Sequence, residues 1–88
     1  AIEINPNLAE AHDSLGLAYF RKGMYNEAIA EYKKAIEIDP EFAKTHYYLA
    51  LAYYYKKMYK LAIEQCDKAI ELGYKAGPKF LEDLKPYR

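Results

Sequence analysis

The chain has 88 residues, which is the size of a single small domain. Its 13 Lys and Arg residues balance 13 Asp and Glu residues, and this neutrality argues against binding to nucleic acid or to a membrane surface. The single cysteine, Cys66, excludes an internal disulfide and a zinc site built from several cysteines, and no apolar run approaches the ~20 residues that span a bilayer.

The first residues, "AIEINP", have neither the basic start nor the apolar stretch of a signal peptide. They predict the last turn of a helix that belongs to a longer protein and that ends at Asn5-Pro6. We expect a cytoplasmic location, because a lone cysteine is compatible with a reducing compartment.

Two helices are predicted in residues 7–40. Pro6 disfavours helix just before it and Asn7 suits an N-cap, so the first helix is predicted over residues 8–21. Gly23 separates it from a second helix, residues 26–38, which ends before Asp39-Pro40.

The same order returns in residues 41–74, with helices predicted over residues 43–56 and 60–72 and with Gly73 after them. Lys57 stands at the turn where the first half has Gly23. If that turn needs a positive φ, Lys57 costs about 1 kcal/mol there.

The last segment, "PKFLEDLKPY", predicts a short amphipathic helix that covers the second half. Pro78 suits its first position, and Pro86 is expected to end it and to leave Tyr87 just beyond. Lys79 and Asp83 are expected to face water. The apolar residues of its predicted inner face are Phe80, Leu81 and Leu84.

A shift of 34 residues places the chain on itself. The stretch "AEAHDSLGLAYFRKGMYNEAIAEYKKAIEI" falls on "AKTHYYLALAYYYKKMYKLAIEQCDKAIEL", and the opening "AIEINP" falls on "AIEIDP" at residues 35–40. The matched pairs include His12 with His46, Leu15 with Leu49, Tyr19 with Tyr53, Ala28 with Ala62 and Ala35 with Ala69.

These matches resemble the tetratricopeptide repeat, a helix–turn–helix unit of 34 residues. The first period supplies the family pattern with His12, Leu15, Gly16, Tyr19, Ala28, Tyr32, Ala35 and Pro40. The second supplies it with His46, Leu49, Ala50, Tyr53, Ala62, Cys66 and Ala69. The departures are few: histidine replaces the usual tryptophan twice, Cys66 takes an aromatic place, and Tyr74 replaces the closing proline.

The resemblance implies an all-α protein, an α-solenoid of helical hairpins whose first helices line a concave groove for peptide segments of partners. It implies no catalysis, and nothing in the sequence indicates a cofactor. The predicted units are residues 1–6 as the end of a preceding repeat helix, 7–40 and 41–74 as two repeats, and 75–88 as a C-terminal capping helix.

The helical wheel divides the first helix of each period into two arcs, independently of the family. The inner arc, predicted to pack on the second helix, holds His12, Leu15, Gly16 and Tyr19 in one period and His46, Leu49, Ala50 and Tyr53 in the other. The small residue, Gly16 or Ala50, is expected to let the two helices approach closely.

The opposite arc is rich in tyrosine and is expected to be solvated unless something binds it. We expect it to bind a protein or peptide that presents apolar side chains in an extended or helical segment. The predicted partner-binding residues are Leu17, Phe20, Arg21, Lys44, Tyr47, Tyr48, Leu51, Tyr54 and Tyr55, with Glu10 and Asp13 at the edge. The alternative is that these tyrosines cover a neighbouring helix or the C-terminal helix.

Some members of the family hold the C-terminal carboxylate of heat-shock chaperones with a lysine and two asparagines. The matching places here hold Asp13, Leu17 and Tyr48, which make a poor clamp for a carboxylate. The resemblance therefore predicts no binding to such acidic tails.

The remaining reactive side chains are predicted to be structural. His12 and His46 occupy equivalent core places and are expected about 10 Å apart, too far to share a metal ion. Cys66 is expected to be a small buried apolar residue. No serine or cysteine has a recognisable base nearby, and the glycines occur singly and form no phosphate-binding loop.

A repeat buries its faces only against neighbours, and about three repeats are usually needed for stability. The outer face of the first repeat is expected to be under-covered, since "AIEINP" is too short to form a stable helix alone. This leaves a second hypothesis open: a structural spacer or self-assembling repeat whose aromatic face and open N-terminal end are filled by homo-oligomer contacts.

Overall fold

The computed structural model describes residues 6–88. In that part of the chain there are five α-helices, one 3-10 turn and no strand. The elements are α1 (Pro6–Arg21), α2 (Tyr25–Ile38), α3 (Ala43–Tyr55), α4 (Tyr59–Glu71), α5 (Pro78–Leu84) and the 3-10 turn η1 (Lys85–Tyr87). The helix end predicted in residues 1–6 lies outside the described residues, apart from Pro6.

The helix boundaries follow the predictions closely, with differences at the two ends. α1 begins at Pro6, so Asn7 lies in its first turn and not before it. Proline suits that place, because its fixed φ is helical and the first N–H groups of a helix lack partners within the helix. α5 stops at Leu84, and Tyr87 is part of η1 instead of lying beyond the helical segment as predicted.

The helices form two hairpins that stack side by side. α1 packs on α2, α3 packs on α4, and α2 packs in turn on α3, which joins the hairpins. The molecule is elongated, with principal extents of 45 × 28 × 17 Å. The predicted all-α stack of helical hairpins is therefore confirmed. No helix in the described part of the chain is long and apolar enough to cross a membrane.

The turn that ends α1 is a Schellman motif. The N–H of Gly23 donates to the carbonyl of Phe20 at 3.0 Å, and the N–H of Met24 donates to the carbonyl of Tyr19 at 2.9 Å. The same pair of hydrogen bonds ends α3 and α4. One turn geometry is thus used three times, and it closes both hairpins.

This turn needs one residue in the left-handed region of φ. Gly23 fills the place after α1 with φ 77°, and Gly73 fills it after α4 with φ 97°. After α3 the residue is Lys57, with φ 64°. The turn after α3 therefore does need a positive φ, the condition under which the sequence predicts an energetic cost at Lys57. The Cβ of Lys57 is strained in that turn.

Gly16 sets the spacing of the first hairpin. A Cβ atom added at Gly16 would lie 2.6 Å from Cε1 of Tyr32, closer than unstrained packing allows. The missing side chain lets the Tyr32 ring lie against α1, and Tyr32 is fully buried. The prediction of a close approach at this position is confirmed.

Small side chains dominate the core. The alanines of α2, α3 and α4 that have no exposed surface are Ala28, Ala35, Ala50, Ala52, Ala62 and Ala69. Leu49 and Tyr53 are 2% and 5% exposed, which confirms the predicted inner arc of the second repeat. Cys66 is fully buried as predicted, and burial raises the pKa of its thiol.

The inner arc of the first repeat is less complete. Leu15 is 45% exposed, whereas Leu49 at the equivalent place is 2% exposed. The difference arises because α2 covers that side of α3, while no helix of residues 6–88 covers the same side of α1. The prediction that Leu15 packs in the core is wrong. The exposure of Leu8, 48%, agrees with the expected under-covered outer face.

α5 packs on the second repeat through its apolar face. Phe80 and Leu84 are 6% and 0% exposed, and Leu81 is half-buried. The short segment of residues 74–77, which has no regular structure, brings this helix back over the second hairpin. Its predicted inner face is confirmed; whether it ends the stack in the whole protein stays a prediction.

The residues after α5 are fastened to α4 by two contacts, here called the C-terminal clasp. The ring of Tyr87 stacks on that of Tyr59, with centroids 3.7 Å apart and planes 6° apart. The guanidinium of Arg88 donates two hydrogen bonds to the carboxylate of Asp67, at 2.7 and 3.2 Å. The clasp fixes the far end of α5 relative to α4.

The strained turn predicts a stabilising substitution. Lys57→Gly should raise the free energy of unfolding by about 1 kcal/mol, because glycine adopts a positive φ without a Cβ clash. Lys56→Gly is the matched control: Lys56 has φ −82°, so glycine there should give no gain. Urea denaturation followed by circular dichroism measures both. A Lys57→Gly variant less stable than the parent would contradict this account.

The buried hydroxyl of Tyr32 leads to the prediction of a second stabilising substitution. Its Oη has no hydrogen-bond partner among the described residues, although it is fully buried, and burial raises the pKa of this phenol. Tyr32→Phe should therefore raise the free energy of unfolding by about 1 kcal/mol. Tyr53→Phe is the control. The hydroxyl of Tyr53 is not among the buried polar atoms that lack a hydrogen-bond partner, so we expect a smaller change in the free energy of unfolding. A loss of stability in Tyr32→Phe, by the same denaturation assay, would refute the interpretation.

Candidate functional site

Part of the tyrosine-rich arc of α3 lines a cavity that α5 closes on the other side. The cavity has a volume of about 230 Å³ and is called here the α3–α5 cavity. Its lining residues from α3 are Tyr47, Leu51, Tyr54 and Tyr55, and those from α5 and the residue before it are Gly77, Lys79, Phe80 and Asp83. All of the α3 residues in this cavity belong to the predicted partner-binding set.

α5 holds two of these tyrosines by ring contacts. The Phe80 ring stands edge-on to Tyr47 and to Tyr54, with centroids 5.7 and 5.6 Å apart. The N–H of Gly77 donates to Oη of Tyr47 at 3.3 Å. Tyr47 and Tyr54 are half-buried for this reason, so the alternative of cover by the C-terminal helix applies to these two rings in part.

Tyr55 is the exposed ring of the cavity. It is 53% exposed and stacks on Tyr25, with centroids 5.5 Å apart and planes 13° apart. Phe20 meets both rings edge-on at 5.7 and 5.5 Å. This trio extends the aromatic surface from the cavity to the first repeat, and it places the predicted residue Phe20 next to the cavity without lining it.

The other predicted residues lie outside the cavity. Tyr48 is half-buried and stacks on Tyr32, with centroids 6.2 Å apart. Leu17 is half-buried, while Arg21 and Lys44 are exposed. The structure therefore gathers the α3 residues of one face and leaves Leu17, Arg21 and Lys44 apart from them.

Asp13 is not solvated at the groove edge as predicted. It is 2% exposed and accepts a hydrogen bond of 2.7 Å from Oγ1 of Thr45, while Nζ of Lys44 lies 3.4 Å from its other carboxylate oxygen. The physical reason is the stacking of the hairpins, which brings a hydroxyl and an ammonium of α3 to this carboxylate of α1. Glu10 is exposed as expected.

The charged residues that line the cavity are Lys79 and Asp83. Their Nζ and Oδ1 atoms are 3.9 Å apart, a loose ion pair, and the side chain of Lys79 is 90% exposed. Burial raises the pKa of the Tyr54 phenol, and the carboxylate of Asp83 adds to the effect. The cavity thus presents aromatic surface with one carboxylate in its wall.

Several solved structures are similar to this chain, and two of them are described here. One is the first TPR of Spaghetti (RPAP3) bound to HSP90 peptide SRMEEVD, with 30% sequence identity and a TM-score of 0.75 over 78% of this chain and 56% of that chain. Another is the N-terminal domain of stress-induced protein-1 (STI-1) from C. elegans, with 29% identity and a TM-score of 0.74 over 83% of this chain and 57% of that chain. A family model for the TPR repeat matches residues 17–57.

The resemblance of this chain to the tetratricopeptide repeat family is therefore confirmed. The chain spans a little more than half the length of these two solved chains. Comparison with curated proteins gave no match.

The histidines in the tryptophan place of each tetratricopeptide repeat join its two helices. Nδ1 of His12 donates to Oε1 of Glu31 at 2.8 Å, and this hydrogen bond lowers the pKa of the Glu31 carboxyl. In the second repeat, Nδ1 of His46 lies 2.7 Å from Oε1 of Gln65, and Nε2 donates to the carbonyl of Pro40 at 2.8 Å. Each histidine is thus engaged by a side chain of its own repeat, and His46 also by the last residue of the first repeat, which supports the structural interpretation.

The described part of the chain contains no group of three or more His, Cys, Asp or Glu side chains placed to hold a metal ion.

Sequence reasoning missed the contribution of α5 to the cavity. Lys79 is 90% exposed, as expected from the sequence, whereas the side chain of Asp83 is only 36% exposed. Both also line the cavity together with Phe80, which was not expected. The helical spacing of residues 79, 80 and 83 puts them on one side of α5, and that signal was available. The spacing does not predict that this side of α5 lies over α3, because that placement depends on the path of residues 73–77.

Proposed function

We propose that this chain is a non-catalytic module that binds a segment of a partner protein against the aromatic surface of α3 and α5. The partner presents apolar side chains in an extended or helical segment. The surface consists of the α3–α5 cavity and the adjoining trio of Phe20, Tyr25 and Tyr55. Leu17, Arg21, Lys44 and Tyr48 extend it along the groove.

The observation that carries the proposal is the α3–α5 cavity itself. Residues chosen from the sequence as partner-binding meet in it, and its volume of about 230 Å³ lies below the ~300–1,000 Å³ of pockets for drug-sized ligands. That size fits one or two side chains of a peptide. Tyrosine supplies large contact area at a small cost in side-chain entropy, and it is enriched at protein interfaces.

The structural relatives support a peptide as the ligand, and the groove chemistry narrows its type. One similar structure is bound to the HSP90 peptide SRMEEVD. In this chain, the places of the carboxylate clamp hold Asp13, Leu17 and Tyr48, and the nearby ammonium of Lys44 already contacts Asp13. A buried carboxylate repels an acidic tail, so we propose a partner other than such a tail.

Tyr55→Ala tests the proposed surface. Peptides selected from a random displayed library on the parent protein should lose about 1–2 kcal/mol of binding free energy when Tyr55 is truncated. Because this ring is 53% exposed, the melting temperature should change little. Isothermal calorimetry and thermal denaturation measure the two effects. Tyr47→Ala is less informative, since it also removes the contacts of Tyr47 with Phe80 and Gly77.

Ile70→Ala is the matched control for the same peptides. Ile70 is 43% exposed on α4 and does not line the cavity, so its truncation should leave binding unchanged. Selected peptides that bind Tyr55→Ala as tightly as the parent would refute the assignment. In a parallel titration the peptide SRMEEVD should show no dissociation constant below ~1 mM. Tight binding of SRMEEVD would refute the proposed choice of partner.

A second candidate function is self-association through the outer face of α1, and a specific observation favours it. Leu8 and Leu15 are 48% and 45% exposed on one side of α1, while the equivalent of Leu15 in the second repeat is covered by α2. A second copy of the chain that packs on this side would cover both leucines. In that case the protein acts as a structural spacer or self-assembling repeat.

Leu15→Lys tests this candidate. The parent protein should sediment as a dimer or larger species at ~100 μM, and Leu15→Lys should sediment as a monomer, because a charge in an apolar interface is costly. Met58→Lys is the control, since Met58 is 40% exposed in a turn away from the α1 face. A parent protein that is monomeric at ~100 μM in analytical ultracentrifugation would exclude this function at that concentration.

A further inference from the structure

We propose that the α3–α5 cavity accepts a basic side chain of the partner, arginine or lysine, over its aromatic rings and beside the carboxylate of Asp83. This inference rests on the proposed function and specifies the chemistry of its main contact. Apolar side chains of the partner would then pack on the adjoining surface around Phe20 and Tyr55.

The walls of the cavity are aromatic and meet at steep angles. Tyr54 is perpendicular to Phe80, at 90°, and lies at 77° to Tyr55, while Tyr47 lies at 86° to Phe80. The rings that line the cavity therefore lie in steeply inclined planes. The face of an aromatic ring carries partial negative charge, and cations within about 6 Å of a ring centroid are attracted to it.

One carboxylate stands in this aromatic wall, and its present partner is weakly held. Asp83 is the acidic residue of the cavity lining, and its side chain is 36% exposed. Nζ of Lys79 is 3.9 Å away at the limit of an ion pair, on a side chain that is 90% exposed. Exposed pairs of this kind contribute little, so a cation of the partner can displace Lys79 from Asp83.

The remaining lining suits the stem of such a side chain. Leu51 lies on the same face of α3 as the tyrosines and gives apolar surface for methylene groups. A volume of about 230 Å³ holds a single long side chain. An acidic side chain would be repelled by Asp83 and by the ring faces, and its one attractive partner in the lining would be the 90% exposed ammonium of Lys79. The less exposed charge of the lining, Asp83, therefore favours a basic group.

The experiment compares three small probes by NMR titration of the full chain: the Nα-acetyl amides of arginine, citrulline and leucine. Citrulline has nearly the shape of arginine without its charge. The methyl resonances of Leu51 and the ring resonances of Tyr54 should shift with arginine amide, and its dissociation constant should be ~10-fold lower than that of citrulline amide.

Two substitutions of opposite sign test the role of charge. Asp83→Asn should weaken arginine amide binding ~5-fold or more, whereas Lys79→Gln should strengthen it, because the competing cation is gone. Glu82→Gln is the matched control: it removes one carboxylate from the same helix, but its side chain is 72% exposed and does not line the cavity. It should leave binding unchanged.

The outcomes distinguish this inference from the proposed function. Leucine amide binding as tightly as arginine amide at the same resonances, without an effect of Asp83→Asn, would overturn the inference and leave the peptide-binding surface in place. Equal binding of arginine and citrulline amides would also overturn it. The absence of any resonance shift with all three probes up to ~50 mM would also overturn the inference. The proposed function is tested separately, by the binding of the selected peptides to the parent protein and to Tyr55→Ala.

Discussion

Close approach between helices is the constraint on which this molecule depends. Gly16 admits the Tyr32 ring where a Cβ would clash, and Ala50 occupies the same place in the second repeat without exposed surface. Because alanines fill the space between α2, α3 and α4, the core contains few large side chains. Tyr32 and Tyr53 are buried within this close-packed core. The other tyrosines of α3 lie on its flank, where they contact one another and α5.

The parts of the fold set by local sequence could be predicted, and those set by distant contacts could not. The helices, the turn at Gly23 and the buried pair Leu49 and Tyr53 follow from periodicity and turn chemistry, which are local. Asp13 is buried where Thr45 of the other repeat donates a hydrogen bond to it, and no sequence pattern near Asp13 predicts that contact. The exposure of Leu15 depends likewise on which helix lies beside α1, a fact that its own spacing does not contain.

The candidate site shows the same division. The face of α3 that carries Tyr47, Leu51 and Tyr54 was readable from the helical wheel. Its opposite wall was not, because the position of Phe80 over these rings is decided by the path of the loop between α4 and α5. As a result, the tyrosines have two roles that the sequence presents as alternatives. Tyr47 and Tyr54 hold the last helix with one part of the ring and border the cavity with another, while Tyr55 remains accessible from solvent.

The C-terminal clasp has a practical consequence for work with this protein. Tyr87 and Arg88 fasten the segment after α5 to Tyr59 and Asp67, and α5 carries one wall of the cavity. A fluorescent dye attached in place of Tyr59 or Asp67 would remove one of these contacts, next to the helix whose position shapes the cavity. A dye attached at an exposed residue of α2 such as Lys33 would leave the clasp undisturbed, so that residue is the better labelling site for binding measurements.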